Sequence, residues 1–519
     1  MRRGGTRRGS PARRVAAPGT LSRRELLRGA VALGAGVGAA AVAPQLTRAG
    51  FAARRSGPKV VIVGAGVAGV RCAHRLWKAH GIEADLYDAS PDRLGGRTYT
   101  VRGAFGARDA EAGGSFISTE HTAVRRLCRQ LGLTVVDVGG GAQPTGVDVY
   151  TANGALVSDA ELRLELQAAY PAIQVALDAA GDHSARTPTR GGRTLDRLSV
   201  AEWVEREVPG GIAGNLGQIL LSDAVAEYGG DPGDQSALNL IWLLEGIVAD
   251  GGGDLAGTDE AGHIVEGSDA LVTRMLDELP SGADGVQRAT RLVAARQRAT
   301  GPVATFEGGG SRRDVACDAL VLAIPFSLLR TGVDLGRADL SPRKKRAIAS
   351  LGMGTNAKLQ VQLADRSWTP LGYSGISYSG PDGFGTVWDG SSGDTAAEPI
   401  LVGFPGAAAG ATLGSVPFGP ADPAKVEEFL SQVELVFPGT RARWAAGPQR
   451  THAAVWARNE LSLGAYSYYQ PGQITDFGGT EFDPAGAIYF CGEHTSFEFQ
   501  GFIEGALRTG ARVADRIGA

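Results

Sequence analysis

The sequence predicts an α/β fold with a βαβ unit near its N-terminal end, and three observations predict it. Residues 60–63 form an apolar, β-branched run that opens directly into a G-x-G-x-x-G pattern at 64–69, followed by a helical pattern. A second short strand pattern then ends at the carboxylate of Asp88, and a turn rich in arginine and glycine follows at 93–97. This order places a helix N-terminus against a pyrophosphate and the carboxylate near ribose hydroxyls, so the unit predicts a dinucleotide site.

The first 56 residues precede this unit and are expected to be a targeting segment. Arg23 and Arg24 stand before an uncharged run of small residues, 29–45, which is similar to a twin-arginine export signal. The run is too short and too weakly apolar for a stable membrane anchor. We therefore expect the twin-arginine translocase to export the folded protein to the periplasm or the exterior. The cleavage site stays open between residues 41–43 and Ala49.

Charge separates this segment from the rest of the chain. Residues 1–56 hold twelve arginines and one glutamate, so the formal charge of −3 for the whole chain leaves −14 for the remainder. This net negative charge argues against nucleic-acid binding and would attract cationic small molecules. The same charge also increases solubility, which is the alternative interpretation. The four cysteines and seven histidines show no metal-ligand spacing, so no metal site is predicted.

About 460 residues after the signal exceed one hydrophobic core, so two intimately joined domains are expected. Strand and turn patterns of the nucleotide-binding kind recur in three separate stretches, which predicts a discontinuous Rossmann-type domain with an interleaved, mixed substrate domain. Between these stretches, segment 150–262 is mainly helical by its pattern, and segment 340–475 is more strand-like. The predicted division is a signal and linker at 1–56, nucleotide-binding parts at 57–149, 263–339 and 476–519, and substrate-domain parts at 150–262 and 340–475.

Three motifs together resemble the FAD-dependent amine oxidase family, which includes monoamine, polyamine and L-amino acid oxidases. They are the turn at 93–97, the segment Glu-Ala-Gly-Gly-Ser-Phe at 111–116, and the C-terminal stretch from Gly492-Glu493-His-Thr to Gly-Phe-Ile-Glu-Gly-Ala at 501–506. The resemblance implies FAD as the cofactor. It implies that the following residues contact it: Gly64, Gly66, Gly69, Asp88, Arg93, Gly96, Arg97, Gly113, Gly114, Leu292, Gly492, Glu493 and Ile503.

The same resemblance implies catalytic positions. Tyr466 and Phe502 would form the two aromatic walls that guide an amine to the flavin, with Trp456 beside them. Lys358 matches the family lysine that reaches flavin N5 through a water, where a cation would favour the reduced flavin anion and its reaction with oxygen. Ala465 replaces the cysteine of the covalent monoamine oxidases, so the FAD is expected to be noncovalent.

The implied activity is oxidation of a small-molecule amine by hydride transfer to flavin N5. The imine is hydrolysed to an aldehyde with ammonia or an amine, while O2 becomes hydrogen peroxide. An L-amino acid oxidase is the alternative, although its carboxylate-binding arginine falls on Phe116, with Arg125, Arg126 or Arg458 as substitutes. A desaturase or a flavoprotein without oxidase activity is the remaining alternative. The amine and the oligomeric state, a homodimer included, are left open.

Overall fold

The computed structural model describes residues 57–137, 146–245, 260–381, 383–391 and 398–519. These residues pack within one compact unit. The domain boundaries drawn from the sequence therefore stay a prediction, and the expected signal at 1–56 lies outside the described residues.

A four-stranded parallel sheet joins the three stretches of nucleotide-binding pattern. Its order is Asp85–Tyr87, Val60–Val63, Ala319–Leu322 and Ile488–Phe490. Val60 to Val63 are at most 4% exposed because both faces of the strand are covered, one by the helix Val67–His80 and the other by a core that includes Leu292 and Phe306. Burial on both faces explains the uninterrupted apolar run. Strands that are far apart in sequence thus end at one edge of the sheet.

An eight-stranded sheet forms the other large layer. Its strands, in spatial order, are Phe418–Gly419, Thr451–Val455, Ala357–Gln362, Ile400–Phe404, Thr386–Asp389, Tyr373–Ser379, Val147–Ala152 and Ala155–Val157. A hairpin of Thr100–Phe105 and Arg108–Glu111 packs on one face through Phe105 and Ala110, which contact Ile400 and Val402. We call it the covering hairpin.

Smaller sheets complete the strand inventory. A three-stranded antiparallel sheet contains Arg291–Arg296, Val303–Gly308 and Ser311–Ala316, and two pairs join Gly352–Met353 to Ser467–Tyr468 and Val135–Asp137 to Gly262–Ile264. The α-helices are Val67–His80, Thr122–Leu131, Asp159–Ala180, Arg190–Leu195, Val200–Glu207, Asn215–Tyr228, Ala237–Leu243, Ala270–Asp277, Phe326–Gly332, Pro342–Ser350, Ala407–Ala411, Pro423–Val436, Thr440–Ala446, Gln473–Phe477 and Ile503–Gly518.

Two whole-chain expectations can be compared with the described residues. Cys72, Cys128, Cys317 and Cys491 are all buried free thiols, and no group of residues in the described part has the composition of a metal site. Burial raises the pKa of the Cys491 thiol to about 12, so it behaves as a small apolar side chain. None of the helices in the described ranges has the length and apolar character to cross a bilayer.

Candidate active site

The glycine turn after the first strand has the backbone geometry that only glycine accepts. Gly64 has φ +102°, and a Cβ on Gly69 would lie 1.9 Å from the carbonyl oxygen of Gly64. Gly66 begins the helix Val67–His80 with no side-chain cap, which leaves its first N–H groups for another acceptor. A pyrophosphate at this N-terminus would satisfy them.

The turn at 93–97 packs directly against this loop. The Gly95 N–H donates to the carbonyl of Ala65 at 3.0 Å, and a Cβ on Gly96 would be 3.2 Å from the Cα of Gly66. Side chains are therefore excluded where the two loops meet. The arrangement forms a backbone-lined surface that fits a dinucleotide phosphate group.

Asp88 and Arg93 hold these loops in place. The Asp88 carboxylate accepts from the N–H groups of Ala65 at 2.6 Å and Ser90 at 2.8 Å; burial raises its pKa, and these donors oppose that effect. The Arg93 guanidinium donates to the carbonyls of Gly96 and Thr98. Arg93 thus braces the turn, and its predicted contact with the cofactor stays a prediction.

Glu493 joins the C-terminal motif to the N-terminal one. Its carboxylate pairs with Arg97 at 2.6 Å and accepts from the Ser467 hydroxyl at 2.8 Å and the Gly501 N–H at 2.9 Å. Burial acts to raise the pKa of Glu493, but the charge of Arg97 and these donors hold it below its usual value. Glu493 is therefore a buried, paired carboxylate at the meeting point of segments about 400 residues apart.

Lys358 is buried and points into the motif at 111–116. Its Nζ donates to the carbonyls of Glu111 at 3.0 Å and Gly113 at 2.7 Å, and to the Ser115 hydroxyl at 2.5 Å. Burial lowers the pKa of Lys358 to about 8, against the opposing charge of Glu111. The side chain is 5% exposed, so it is not a surface lysine.

The glycine pair 113–114 also has little room for side chains. A Cβ on Gly113 would be 2.1 Å from the carbonyl oxygen of Arg97, and one on Gly114 would be 3.2 Å from Ile503 Cδ1. Ile503 begins the C-terminal helix, whose N-cap position, Phe502, makes no side-chain capping hydrogen bond. The structure thus gathers Gly113, Gly114 and Ile503 beside one uncapped helix N-terminus.

The predicted aromatic residues lie around this region. Trp456 donates from Nε1 to the carbonyl of Ala112 at 2.9 Å, and Tyr466 donates its hydroxyl to the carbonyl of Ala226 at 2.5 Å. A Cβ on Gly501 would be 3.7 Å from the Tyr466 ring, so the backbone directly before Phe502 passes this ring. Phe502 itself packs against His121, with ring centroids 5.0 Å apart.

Leu292 lies farther along, in the three-stranded sheet. It is 3% exposed and pairs in register with Phe306, whose ring stacks on Tyr87 at 4.2 Å. Tyr87 directly precedes Asp88, so Leu292 belongs to the packing beneath the predicted ribose contact. The predicted contact between Leu292 and FAD stays a prediction.

Two carboxylates on the helix that Tyr466 contacts were missed in the sequence. Asp223 and Glu227 lie one turn apart on the helix Asn215–Tyr228, on either side of the residue that accepts the Tyr466 hydroxyl. Burial raises the pKa of Asp223 to about 7, and burial with the charges of Glu260 and Asp223 raises that of Glu227 well above its usual value. An i, i+4 pair of acids in an otherwise apolar helix was the available signal.

Comparison with known proteins identifies this arrangement. The model of the flavin-containing amine oxidoreductase family matches residues 67–518. The chain belongs to this family. It is 24% identical to flavin-containing amine oxidase A of Bos taurus over 487 residues, covering 88% of this chain and 84% of that protein. It is also 24% identical to polyamine oxidase 2 of Arabidopsis thaliana over 257 residues, covering 49% of each chain.

Solved structures show the same fold. The cyclohexylamine oxidase from Brevibacterium oxydans aligns with a TM-score of 0.75 at 24% identity, covering 89% of this chain and 99% of that one. Putrescine oxidase bound to putrescine aligns with a TM-score of 0.71 at 21% identity, covering 89% and 99%. The predicted family, α/β fold class and FAD cofactor are confirmed, and the protein is an oxidoreductase acting on amines.

Ala465 gives a prediction about how FAD is attached. Its carbonyl accepts from Arg97 at 2.9 Å, so this small residue lies within the cofactor motif. Because alanine offers no thiol, acid precipitation of the purified protein should release all of the FAD into the supernatant. Flavin absorbance that stays with the precipitated polypeptide would contradict the noncovalent assignment.

Proposed function

We propose that this enzyme oxidises a cationic amine that has no carboxylate. The products are an imine, hydrolysed to an aldehyde with ammonia or a smaller amine, and hydrogen peroxide from O2. FAD, when bound, supplies the acceptor for the hydride that leaves the α-carbon of the amine. The observation that best supports this substrate is the acidic pair Asp223 and Glu227 on the helix that Tyr466 contacts. A bound ammonium would stabilise the charged form of these acids, whose pKa burial raises, whereas a substrate carboxylate would not.

Several side chains of this protein have separate roles around the amine. Tyr466 and Phe502 orient the amino group and limit water, and Trp456, hydrogen-bonded to Ala112, fixes the wall behind them. Lys358 holds a proton at Nζ on the side of the Gly113 carbonyl. No acid–base triad is required, because the aromatic walls and the acidic pair bind and orient the substrate.

The arginines named as carboxylate partners support the amine over the amino acid. Arg125 donates to the carbonyls of Ile117 and Ser118, while Arg126 and Arg458 are exposed. Phe116, at the expected arginine position, packs against Trp388 with ring centroids 5.5 Å apart. An apolar pair thus occupies the position where an L-amino acid oxidase of the family would need a cation.

The test is a substrate panel read by oxygen consumption and peroxide formation. For each L-amino acid and its decarboxylated amine, kcat/KM should be at least about tenfold higher for the amine, a preference of about 1.4 kcal/mol in the transition state. Heat-denatured enzyme with free FAD is the blank. A tenfold preference for any L-amino acid over its amine would replace this proposal with an L-amino acid oxidase.

We also propose that the enzyme leaves the cytoplasm by the twin-arginine route. Arg23 and Arg24 before the uncharged run 29–45 support this. Replacing both with lysine should leave folded, flavin-loaded enzyme in the cytoplasm, because the guanidinium pair is recognised rather than charge alone. Cell fractionation with a flavin assay measures it, and unchanged export of the double variant would show that another route operates.

A further inference from the structure

The eight-stranded sheet contains a buried row of polar side chains beneath the covering hairpin. Lys358, Gln360 and Gln362 alternate along one strand and are 5%, 2% and 0% exposed. Alternate residues of a strand share one face, and a face covered by another layer is ordinarily apolar. Three consecutive polar residues on such a face therefore need partners.

Two buried polar atoms on this face of the sheet have no hydrogen-bond partner within the part of the chain that the structure describes. His452 lies directly opposite Gln360 in the antiparallel register and is 5% exposed. Gln360 Oε1 and His452 Nδ1 are both buried without a hydrogen-bond partner there. Burial lowers the pKa of His452 to about 4, so its ring is neutral at physiological pH. Two unpaired polar atoms on facing residues are typical of a bound internal water.

The other end of the Gln360 amide connects to Lys358. Gln360 Nε2 donates to the carbonyl of Glu111 at 3.2 Å, and Lys358 Nζ donates to the same carbonyl at 3.0 Å. The orientation of this amide therefore decides what lies next to the ammonium. If the amide rotated, Oε1 would turn toward Lys358 as a further acceptor and would favour its charged form.

We propose that Gln360 and His452 bind an internal water molecule and thereby act as positioning residues for Lys358. The water donates to Gln360 Oε1 and bonds His452 Nδ1, which locks the amide with Nε2 toward Glu111. The role given to Lys358 rests on the proposed function, whereas the water site depends only on the two facing side chains.

Other charged groups around the row do not replace this water. The Glu111 carboxylate on the covering hairpin is hydrogen-bonded to Ser268 and Thr100, while the charge of Glu260 acts to raise the pKa of Lys358. Arg450, at the outer end, donates to Gln362 at 3.2 Å. Its exposed guanidinium lies against Gly106 at the hairpin tip. Glu111 and Arg450 thus make their hydrogen bonds to residues other than His452.

Two His452 variants of the FAD-loaded enzyme distinguish water binding from packing. Phenylalanine fills the ring volume but binds no water, while glutamine loses the ring and can still bind one. High-resolution crystal structures should show an ordered water within about 3 Å of Gln360 Oε1 in the wild type and in His452→Gln, and none there in His452→Phe. A direct Gln360–His452 hydrogen bond without water in the wild type would overturn the proposal.

The kinetic readout requires no amine substrate. Flavin is reduced with dithionite, and its reoxidation by O2 is followed across pH by stopped flow. In the wild type, the reoxidation rate should change with a pH midpoint near 8, where Lys358 titrates. This midpoint should rise by about 0.5 to 1 pH unit in His452→Phe and stay in place in His452→Gln. If His452→Phe does not fold, His452→Leu, which is smaller and also binds no water there, keeps the Gln360 amide and should show the same rise of the midpoint. Equal midpoints in all folded variants would refute the positioning role, whatever the substrate proves to be.

Discussion

Replacing Lys358 with methionine is expected to slow reoxidation of the flavin by O2 about 10²-fold, the typical cost of one lost preorganised charged contact at a reacting centre. The methionine keeps an unbranched stem of similar length but removes the charge and all three donors. FAD and amine binding should remain largely intact, because Lys358 bonds to Glu111, Gly113 and Ser115 rather than to the pair Arg97–Glu493. Stopped-flow spectroscopy separates anaerobic bleaching by amine from the return of colour with oxygen.

Lys345→Met is the matched control, since that lysine is exposed on a helix elsewhere in the chain. The variant at Lys358 also removes one charged donor from the carbonyls of Glu111 and Gly113, at a cost of about 1.5–3 kcal/mol, so thermal unfolding is measured in parallel. If reoxidation and bleaching both kept wild-type rates, the placement of strand Ala357–Gln362 beside the flavin would be wrong.

The pH dependence of the wild-type enzyme should follow the same group. Burial lowers the pKa of Lys358 to about 8, so its ammonium is present below that pH and is lost above it. Reoxidation should therefore slow as pH rises through about 8 in the wild type and stay flat there in Lys358→Met. A wild-type midpoint near 10.4, the value of a solvated lysine, would contradict the burial of this side chain.

Local chemistry explains why much of the site could be predicted. The turn at 64–69 depends on backbone geometry that only glycine accepts. The spacing of its glycines in the sequence therefore predicts the turn. The first substrate-domain segment, 150–262, was expected to be mainly helical, and it contains the helices Asp159–Ala180 and Val200–Glu207. The motifs at the two chain ends were expected to meet in one site, because each resembles a known half of it, and the pair Arg97–Glu493 joins them.

What the sequence could not give depends on contacts between distant residues. The partners of Lys358 lie about 245 residues away, and nothing in its own strand predicts them. Arg93 belongs to a motif that predicts a cofactor contact, yet its guanidinium donates hydrogen bonds to backbone carbonyls of its own turn. The link between Asp223 and the site depends on Tyr466, which is remote in sequence and donates its hydroxyl to Ala226 on the same helix. These roles depend on tertiary packing, and the periodicity of the sequence contains no information about tertiary packing.

Replacing Asp223 and Glu227 together with asparagine and glutamine is expected to lower kcat/KM for cationic amines about 10²-fold. Each lost charged contact is typically worth about 1.5–3 kcal/mol, and every 1.4 kcal/mol is tenfold. The loss should fall mainly on KM, because the acids bind the ammonium while Tyr466 and Phe502 still orient it. Glu207→Gln, at an exposed position on the neighbouring helix Val200–Glu207, is the matched control.

The pH dependence and the stability of this double variant decide whether the acids serve substrate or only occupy the interior. Burial raises the pKa of Asp223 to about 7, so its charge, and with it the affinity for a cationic amine, should increase as pH rises through 7. The same raised pKa means that the folded state binds more protons than the unfolded chain between about pH 4 and 7, so stability falls as pH rises through that window. The amide variant escapes this loss and should unfold at a higher temperature than the wild type above pH 7. Greater stability together with unchanged kcat/KM for every amine would show that the two carboxylates are buried without binding substrate, and the substrate preference would then have to come from the aromatic walls alone.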